Sequence, residues 1–284
     1  MATIIDGKAL AEKIKAEIID EIKKIKGKIN FTAVMVGENH ASTIYIEKKR
    51  KACQEVGINM NVVALPKVVT QAKLEETLRK LSDDKNVHGV LVQLPLPAHI
   101  DVREAIECIN PHKDVDGLTV TNFGRLALDP PALVPCTALG VVHIVKSCGV
   151  NLAGADVVVI GRSNIVGKPV AMMLQRENAT VTICHKGTRD IASHTLKADI
   201  VIVAVGQPGI LNSAMVKYGA IVIDVGITRT SDGSIIGDVD FPEVAKKASA
   251  ITPVPGGVGP LTIAFLLKNI LDSYKLQTAK KNKD

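Results

Sequence analysis

Short apolar stretches alternate with amphipathic helical patterns along almost the whole chain. In the first half, predicted strands at 31–36, 58–65 and 88–94 alternate with predicted helices at 7–26, 42–56, 71–81 and 102–108. In the second half, predicted strands follow at 156–160, 180–184, 199–205 and 220–225, with helices at 166–176 and 261–274. Strands and helices that alternate in this order form βαβ units, so the sequence predicts an α/β fold built on parallel sheets.

Length and composition are consistent with two domains that have aliphatic cores. The chain has 284 residues, of which 46% are apolar and only 2% aromatic, and it contains no tryptophan. A core of Val, Ile, Leu and Ala suits parallel strands that are buried on both faces. Turn-rich or proline-rich segments at 110–116, 129–131 and 134–137 interrupt the pattern, and we expect the change of domain there. Thr137 is expected to cap the helix that runs on to Lys146.

Charge, cysteine spacing and hydropathy argue against several classes of function. The formal net charge is +6, and the last ten residues hold four lysines against one aspartate, which is typical of a solvated terminus. The five cysteines show no CxxC spacing, so we expect no metal site, no disulfide framework and a reducing compartment. No signal peptide and no uncharged apolar run of ~18 residues is found, so a soluble, cytoplasmic protein without membrane binding is expected. Scarce aromatic residues argue against stacking on single-stranded nucleic acid.

Two segments contain the residues expected to carry proton chemistry. On the predicted helix 42–56, Tyr45 and Lys49 are four residues apart and therefore share one face. Gln93 stands where an apolar strand is stopped by two prolines, at the carboxyl edge where open α/β sheets bind ligands. An alternative for the basic run 48–51 is a solvated face or a nucleic-acid patch. Gln93 alone is equally consistent with a simple strand-end hydrogen bond, and Asp114 and Asp116 with turn formation.

The segment 155–169 has the order strand, glycine turn and helix start that is typical of a dinucleotide site. Gly161 permits a tight turn, although Ser163 and Val166 stand where the G-x-G-x-x-G fingerprint has its second and third glycines. Backbone amides at the start of the helix would meet a phosphate. The alternative is an ordinary βα turn. The next strand ends without the acid that an NAD site uses for the ribose, while Arg162, Lys186 and Arg189 suit a 2′-phosphate, which favours NADP over scattered surface charge.

Five motifs stand in order along the chain: Ala41-Ser42 through Tyr45 and Lys49, 92–97 (VQLPLP), 113–117 (KDVDG), 161–169 (GRSNIVGKP) and 253–260 (PVPGGVGP). In this order they resemble the bifunctional methylenetetrahydrofolate dehydrogenase/methenyltetrahydrofolate cyclohydrolase family of the FolD type. The resemblance covers nearly the whole chain. It implies an N-terminal α/β folate domain at 1–117 plus 261–284, a Rossmann-like NADP domain at 118–260, a cleft between the domains, and a homodimer.

The resemblance also implies a role for each site residue. Lys49 is the general acid and base of the cyclohydrolase step, Gln93 tunes it, Tyr45 packs on the folate and Asp116 pairs with the pterin ring. The folate site is lined by Val92, Leu94, Pro255, Gly256, Gly257, Val258 and Gly259. Gly161, Arg162 and Ser163 hold the cofactor phosphates, with Lys186 and Arg189 near the 2′-phosphate and Ile227 on the nicotinamide side. The implied substrates are small tetrahydrofolate derivatives, and no metal is implied.

Two positions depart from the family pattern. Lys186 stands where the family often has serine near the 2′-phosphate; the lysine is expected still to favour NADP and to change the strength of the preference for NADP over NAD. Ala138 follows Cys136-Thr137 where the family usually has proline, which affects only the local entry into the helix. The alternatives to the bifunctional enzyme are a monofunctional NAD(P)-dependent dehydrogenase, a non-catalytic NADP-binding regulator, and a nucleic-acid-binding protein that uses the basic run.

Overall fold

The computed structural model describes residues 1–37, 40–128 and 133–281, and these form two compact units. The small-sheet unit comprises Lys13–Cys136 with Ile263–Asp284, and the large-sheet unit comprises Met1–Glu12 with Thr137–Thr262. The prolines at 130 and 131, expected to mark the domain change, lie outside the described residues. The two units divide between Cys136 and Thr137, so the described residues 118–128 and 133–136 belong to the small-sheet unit.

The helices are α1 Gly7–Ile22, α2 His40–Val56, α3 Gln71–Asp83, α4 Val102–Glu107, α5 Val120–Leu128, α6 Cys136–Ser147, α7 Gly167–Arg176, α8 Ala192–Thr195, α9 Phe241–Val244 and α10 Val258–Lys281. The strands are β1 Thr3–Ile4, β2 Asn30–Val36, β3 Asn59–Leu65, β4 Gly89–Val92, β5 Asp156–Ile160, β6 Thr180–Cys184, β7 Ile200–Val203, β8 Ile221–Asp224, β9 Thr228–Arg229, β10 Ile235–Ile236 and β11 Ala250–Ile251.

The small-sheet unit is built on three parallel strands in the order β3-β2-β4. Ala33 of the central strand pairs with Val62 on one side and Leu91 on the other. Its core includes Val34, Val90, Leu74 and Leu78, which are fully buried because β4 is apolar on both faces and α3 turns one apolar stripe inward. Two of its helices have side-chain caps, since Thr70 accepts from the Lys73 amide at α3 and Asp101 accepts from the Arg103 and Glu104 amides at α4.

The large-sheet unit is a six-stranded parallel sheet in the order β1-β11-β8-β7-β5-β6. β6 lies on one side of β5, whereas the next strand, β7, lies on the other side, so the strand order reverses between β5 and β7. This reversal is the topological switch point of a doubly wound fold, where ligands bind beyond the carboxyl ends of the strands. β1 pairs with β11, which explains why the first twelve residues belong to this unit.

The predicted α/β class with parallel sheets is confirmed, with differences at particular elements. The strand expected at 88–94 is shorter, and Gln93 follows it directly. The expected cap at Thr137 is wrong: α6 already begins at Cys136, and the Thr137 hydroxyl lies 3.2 Å from that of Thr262. The sequence pattern did not reveal α5. It also missed the strands β1, β9, β10 and β11, because two-residue strands are too short to show a periodicity.

None of the described helices is long and apolar enough to cross a membrane. Within the same ranges, no group of three or more His, Cys, Asp or Glu side chains is arranged to hold a metal ion.

Candidate active site

Lys49 and Gln93 are brought into direct contact by two elements of the small-sheet unit. Lys49 lies on α2, and its Nζ donates to Gln93 Oε1 at 2.9 Å. The Gln93 backbone amide continues the sheet by donating to the Val34 carbonyl at 2.8 Å. Its Nε2 donates to the Leu94 carbonyl at 2.7 Å, which fixes the amide so that the oxygen faces the amine. The amine is thus half-buried with one defined acceptor.

Lys49 differs from its neighbours in the basic run 48–51. Lys48 and Lys51 are exposed, whereas Lys49 is only partly accessible, and Arg50 pairs with Glu47 at 3.3 Å. The ring of Tyr45, 42% exposed, has Lys48 Nζ at 5.8 Å from its centroid, within the range of a cation–π contact. An exposed aromatic face one turn before a half-buried amine is suited to a planar ligand, which argues against a simple solvated face.

Cys53 lies one turn beyond Lys49 on the buried side of α2. The thiol is completely buried, and burial raises its pKa to about 12 although the charge of Lys49 acts in the opposite direction. Cys53 therefore stays neutral and forms part of the apolar support of the helix.

Asp116 is positioned by a segment that extends the small sheet beyond β4. Asp114 forms a parallel bridge with Val90, and the Val90 amide donates to the Lys113 carbonyl at 2.7 Å. Asp116 follows two residues later and is half-buried. Burial raises the pKa of its carboxyl group, and the positive charge of Lys49 opposes this shift, so the carboxylate and the amine act on each other electrostatically.

Asp114 matches the turn-forming alternative rather than a chemical role. It is 2% exposed, and one carboxylate oxygen accepts from the Thr119 amide at 2.8 Å and from Asn122 Nδ2 at 3.0 Å. This network holds the turn that precedes Asp116.

Asn269 was not identified from the sequence, but its side-chain amide contacts three residues next to Asp116 in the sequence or in space. It lies on α10, and its Nδ2 donates to the carbonyls of Val115 and Val134, each at 2.8 Å. The same group lies 3.4 Å from Cys136 Sγ, and Cys136 Sγ lies 3.7 Å from Asp116 Oδ1. The only signal in the sequence is an amide beside Lys268 within the mainly apolar stretch 263–271 of this helix.

The turn after β5 is closed by two glycines and one serine. A Cβ on Gly161, which has φ +122°, would lie 2.3 Å from the Ala204 carbonyl oxygen, and one on Gly167 would lie 2.2 Å from the Gly161 oxygen. Ser163 Oγ accepts from the Val166 amide at 3.1 Å. Gly167 therefore provides the close backbone contact that the fingerprint assigns to its third glycine, one position later than expected. The turn has the geometry of a phosphate-binding loop.

The three basic residues near this turn are all exposed. Arg162 lies in the turn after β5, and Lys186 and Arg189 lie in the loop after the neighbouring strand β6. That loop is ordered locally, because His185 Nδ1 accepts from the Gly187 amide at 3.1 Å and the Thr188 hydroxyl accepts from the His185 amide at 3.0 Å. None of the three basic residues has an acidic partner in the part of the chain that the structure describes.

The glycine-rich loop at 253–260 belongs to the large-sheet unit. A Cβ on Gly7 would lie 1.8 Å from the Gly257 carbonyl oxygen, so only glycine permits this contact with the start of α1. Gly256 has φ +109°, which also requires glycine. Pro255 and Gly259 are exposed, as is Ile227 after β8.

The fold and these residues define a class of protein. A doubly wound sheet with a dinucleotide-type turn at its switch point is typical of nicotinamide-dependent oxidoreductases. The amine–amide pair in the other unit, with a carboxylate electrostatically coupled to the amine, is suited to proton transfer.

Comparisons with known proteins identify the family. The model for the tetrahydrofolate dehydrogenase/cyclohydrolase catalytic domain matches residues 5–116, and the model for the NAD(P)-binding domain of the same family matches residues 135–278. The chain therefore belongs to the tetrahydrofolate dehydrogenase/cyclohydrolase family.

Relatives in this family match over nearly their whole length. The bifunctional protein FolD of Sulfurihydrogenibium sp. (strain YO3AOP1) is 53% identical over 278 residues, covering 96% of this chain and 97% of the relative. The crystal structure of the bifunctional enzyme FolD from Campylobacter jejuni has a TM-score of 0.93 at 47% identity, covering 97% of this chain and 99% of that one. The enzyme from Trypanosoma brucei, solved with NADP and an inhibitor, has a TM-score of 0.93 at 41% identity, covering 98% of each chain.

Proposed function

We propose that this protein oxidises 5,10-methylenetetrahydrofolate to 5,10-methenyltetrahydrofolate with NADP and then hydrolyses the product to 10-formyltetrahydrofolate. Membership of the dehydrogenase/cyclohydrolase family makes the chain a two-activity folate enzyme of one-carbon metabolism. The observation that carries the second activity is the 2.9 Å contact between Lys49 Nζ and Gln93 Oε1.

For the first step, the large-sheet unit provides the cofactor site. NADP, when bound, supplies the acceptor for a hydride from the folate methylene carbon. Gly161, Arg162 and Ser163 hold the phosphates through the turn after β5, and Lys186 and Arg189 attract the 2′-phosphate. Ile227 contributes an apolar surface on the nicotinamide side. Because the two folate nitrogens stabilise the cation that remains, the protein has only to orient the reactants.

For the second step, Lys49 manages the protons. As water attacks the methenyl carbon, the Lys49 amine takes a proton from that water. The Lys49 ammonium then returns a proton to the N5 nitrogen as the bond between N5 and the carbon breaks. The hydroxyl proton of the water adduct is released to solvent, so that oxygen becomes the carbonyl of the formyl group on N10. Gln93 holds the amine in place through its oxygen, and no metal enters the scheme.

The remaining residues bind the folate. Tyr45 packs on the ring system, and Asp116 accepts from the polar edge of the pterin. The raised pKa of Asp116 favours pairing with an amide-type donor, because such an edge satisfies a carboxylate that is otherwise poorly solvated. On the family resemblance, Val92 and Leu94 are proposed to contribute to folate binding, and so are the loop residues Pro255 to Gly259. The folate domain is proposed to comprise residues 1–117 with 261–284, and the NADP domain residues 118–260.

An absorbance assay with methylenetetrahydrofolate and NADP tests the proposed function. NADPH formation together with transient methenyl-folate that decays to the formyl product supports both activities. Methenyl-folate that decays no faster than in buffer would indicate a monofunctional dehydrogenase. NADP binding without turnover would indicate a regulator, and binding of an oligonucleotide at physiological salt would favour the basic run as a nucleic-acid patch.

A homodimer is proposed through the edge strand β6. This strand ends the large sheet, and beside it runs a groove lined by Ala171, Met172, Val181 and Ile183. An unpaired edge with an exposed isoleucine is a template for pairing with a second copy. Light scattering should show a dimer for the parent and for Leu196→Lys, which changes a similarly exposed apolar residue elsewhere, and a monomer for Ile183→Lys. A monomeric parent at micromolar concentration would contradict the proposal.

Location in the cytoplasm is proposed on the state of the cysteines. All five are free thiols, three of them buried, as expected for a protein kept in a reducing compartment. Secretion of the tagged chain by its native host would contradict this location.

A further inference from the structure

Two buried carboxylates lie beyond the carboxyl ends of β7 and β8 in the large-sheet unit. Asp224 is 2% exposed and Asp238 is fully buried. Asp238 Oδ2 accepts from the backbone amides of Val205 at 2.7 Å and Gly206 at 2.9 Å. Asp224 Oδ1 accepts from the amides of Gly226 and Asp238, each at 3.0 Å. Backbone amides that belong to no strand ladder are thus held by buried side chains.

The glycines around the pair show how closely the carboxylates approach the backbone. A Cβ on Gly226 would lie 2.2 Å from Asp238 Oδ1, and a Cβ on Gly237 would lie 2.0 Å from Asp224 Oδ2. A side chain at either position would push a carboxylate out of place. The local sequence therefore leaves room for the two carboxylates.

Stability alone does not explain the pair. Asp238 Oδ1 is buried and has no hydrogen-bond partner among the described residues. A buried carboxylate oxygen without a partner is costly, and Asp224 and Asp238 repel each other. The two carboxylates nevertheless hold backbone next to the protein surface: Val205 is 46% exposed, and Ile227, which follows the buried Gly226, is 51% exposed. Holding the backbone at the ends of two strands with buried carboxylates, one of whose oxygens has no partner among the described residues, points to a demand on the position of that backbone.

The position of these segments relative to the switch point indicates what they face. Gly161 closes against Ala204, since its Cβ would lie 2.3 Å from the Ala204 oxygen, so the segment 204–206 borders the phosphate-binding turn. Lys186 and Arg189, proposed for the 2′-phosphate, follow β6 on one side of β5, whereas 205–206 follow β7 on the other. A dinucleotide with its 2′-phosphate over β6 and its phosphates over β5 extends its nicotinamide half toward β7 and β8.

We propose that Asp238 and Asp224 are positioning residues for hydride transfer, because they fix the Val205–Gly206 and Gly226–Ile227 backbone on the nicotinamide side of the cofactor site. The inference rests on the proposed dehydrogenase function and on the placement of the cofactor given there. Neither carboxylate touches the reactants. The Asp238 carboxylate holds the amides of Val205 and Gly206. The Asp224 carboxylate holds the amides of Gly226 and of Asp238 itself. The pair therefore joins the ends of β7 and β8.

The test compares Asp238→Ala, Asp238→Asn and Asp232→Ala in the full-length protein. Asp238→Ala removes the acceptor of two amides, whereas Asp238→Asn keeps one oxygen for them. Asp232→Ala removes an exposed aspartate from the nearby β9–β10 turn as a matched control. Each variant is assayed for NADP reduction and, separately, for hydrolysis of added methenyl-folate. Hydrogen exchange of the 204–207 backbone is measured without cofactor, and NADP affinity by calorimetry.

We expect kcat for hydride transfer to fall by ~10- to 100-fold in Asp238→Ala, because small misplacements of reacting groups have effects of this size. KM for the folate and the rate of the cyclohydrolase reaction should stay near the parent values. Hydrogen exchange of the 204–207 amides should accelerate at least ~10-fold, which corresponds to the loss of a hydrogen bond of about 1.4 kcal/mol. Asp238→Asn should restore most of the hydride-transfer activity. The Asp232→Ala control should match the parent.

Several results would overturn the inference. An equal fall of both activities would make the pair merely structural, and unchanged hydride transfer in folded Asp238→Ala would remove the role. If Asp238→Ala does not fold, Gly226→Ala serves in its place, because its Cβ displaces the Asp238 carboxylate while keeping the charge; unchanged hydride transfer there would equally refute the proposal. A parent protein that does not reduce NADP would instead defeat the proposed function itself.

Discussion

Replacement of Lys49 by methionine is expected to remove most of the cyclohydrolase activity while leaving substantial hydride transfer. Methionine keeps much of the aliphatic stem, so the half-buried position on α2 stays filled, but the amine that contacts Gln93 at 2.9 Å is lost. Water can take its place on the Gln93 oxygen because the site is partly accessible. The ground-state cost is therefore about 1 kcal/mol or less.

The loss in the barrier is larger than this ground-state cost. General acid and base assistance contributes ~10²- to 10⁴-fold, which corresponds to about 2.7–5.4 kcal/mol. We expect the cyclohydrolase rate to fall by at least ~10²-fold. Hydride transfer formally needs no protein base, so the dehydrogenase rate should stay within about a factor of ten of the parent, the effect of at most 1.4 kcal/mol of altered substrate orientation.

Both activities are measured on purified Lys49→Met, Lys48→Met and Lys51→Met, with circular dichroism to verify folding. Lys48 and Lys51 are exposed and make no contact with Gln93, so they are matched controls for the loss of charge from the same helix. A folded Lys49→Met protein that hydrolyses methenyl-folate near the parent rate would refute the role of Lys49. The basic run would then be a solvated face.

The other expected outcomes concern the cofactor, the folate and the pH dependence of stability. Lys186→Glu should shift the ratio of kcat/KM for NADP and NAD toward NAD, since a charge-assisted contact of about 1.5–3 kcal/mol with the 2′-phosphate becomes a repulsion; parent kinetics that already favour NAD would contradict this. Asp116→Ala should weaken folate binding and lower both activities together, and a loss confined to the cyclohydrolase would make Asp116 a chemical group instead. Asn269→Leu should raise KM for folate with a smaller change in kcat, because Asp116 loses its support, and unchanged KM would refute the link. Burial, together with the neighbouring charge of Asp238, raises the pKa of Asp224 from the ordinary range of an aspartate to about 6. The contribution of Asp224 to the free energy of unfolding is complete below its pKa in the unfolded chain and is lost as the pH rises toward 6, by up to about 3 kcal/mol. In urea unfolding, Asp224→Asn should therefore lack this decrease of the free energy of unfolding with pH. An identical decrease in the parent and the variant would contradict the assignment.

The sequence alone was sufficient for the features that depend on local pattern. The alternation of strands and helices specified the α/β class, since periodicities of two and of about 3.6 residues are properties of contiguous segments. The helical spacing placed Tyr45 and Lys49 on one face of α2. The prolines after Gln93 placed that residue at a carboxyl edge, and the contact with Lys49 follows from the parallel arrangement of β2 and β4. Roles for these residues came from the resemblance and stay proposals.

Tertiary structure decided the features that join distant parts of the chain. Asn269 holds the Val115 carbonyl, next to Asp116, across 154 positions, and Asp238 holds the Val205 amide across 33. Neither spacing leaves a local pattern in the sequence. The glycine that contacts the Gly161 backbone is Gly167 rather than a residue at 166, because that contact depends on how α7 packs against the sheet. The two-residue strand β11 forms by pairing with β8 on one side, and the two-residue strand β1 pairs with its other side. Such contacts are selected by the packing of the complete fold, because the free energy that orders them comes from elements far away in the sequence.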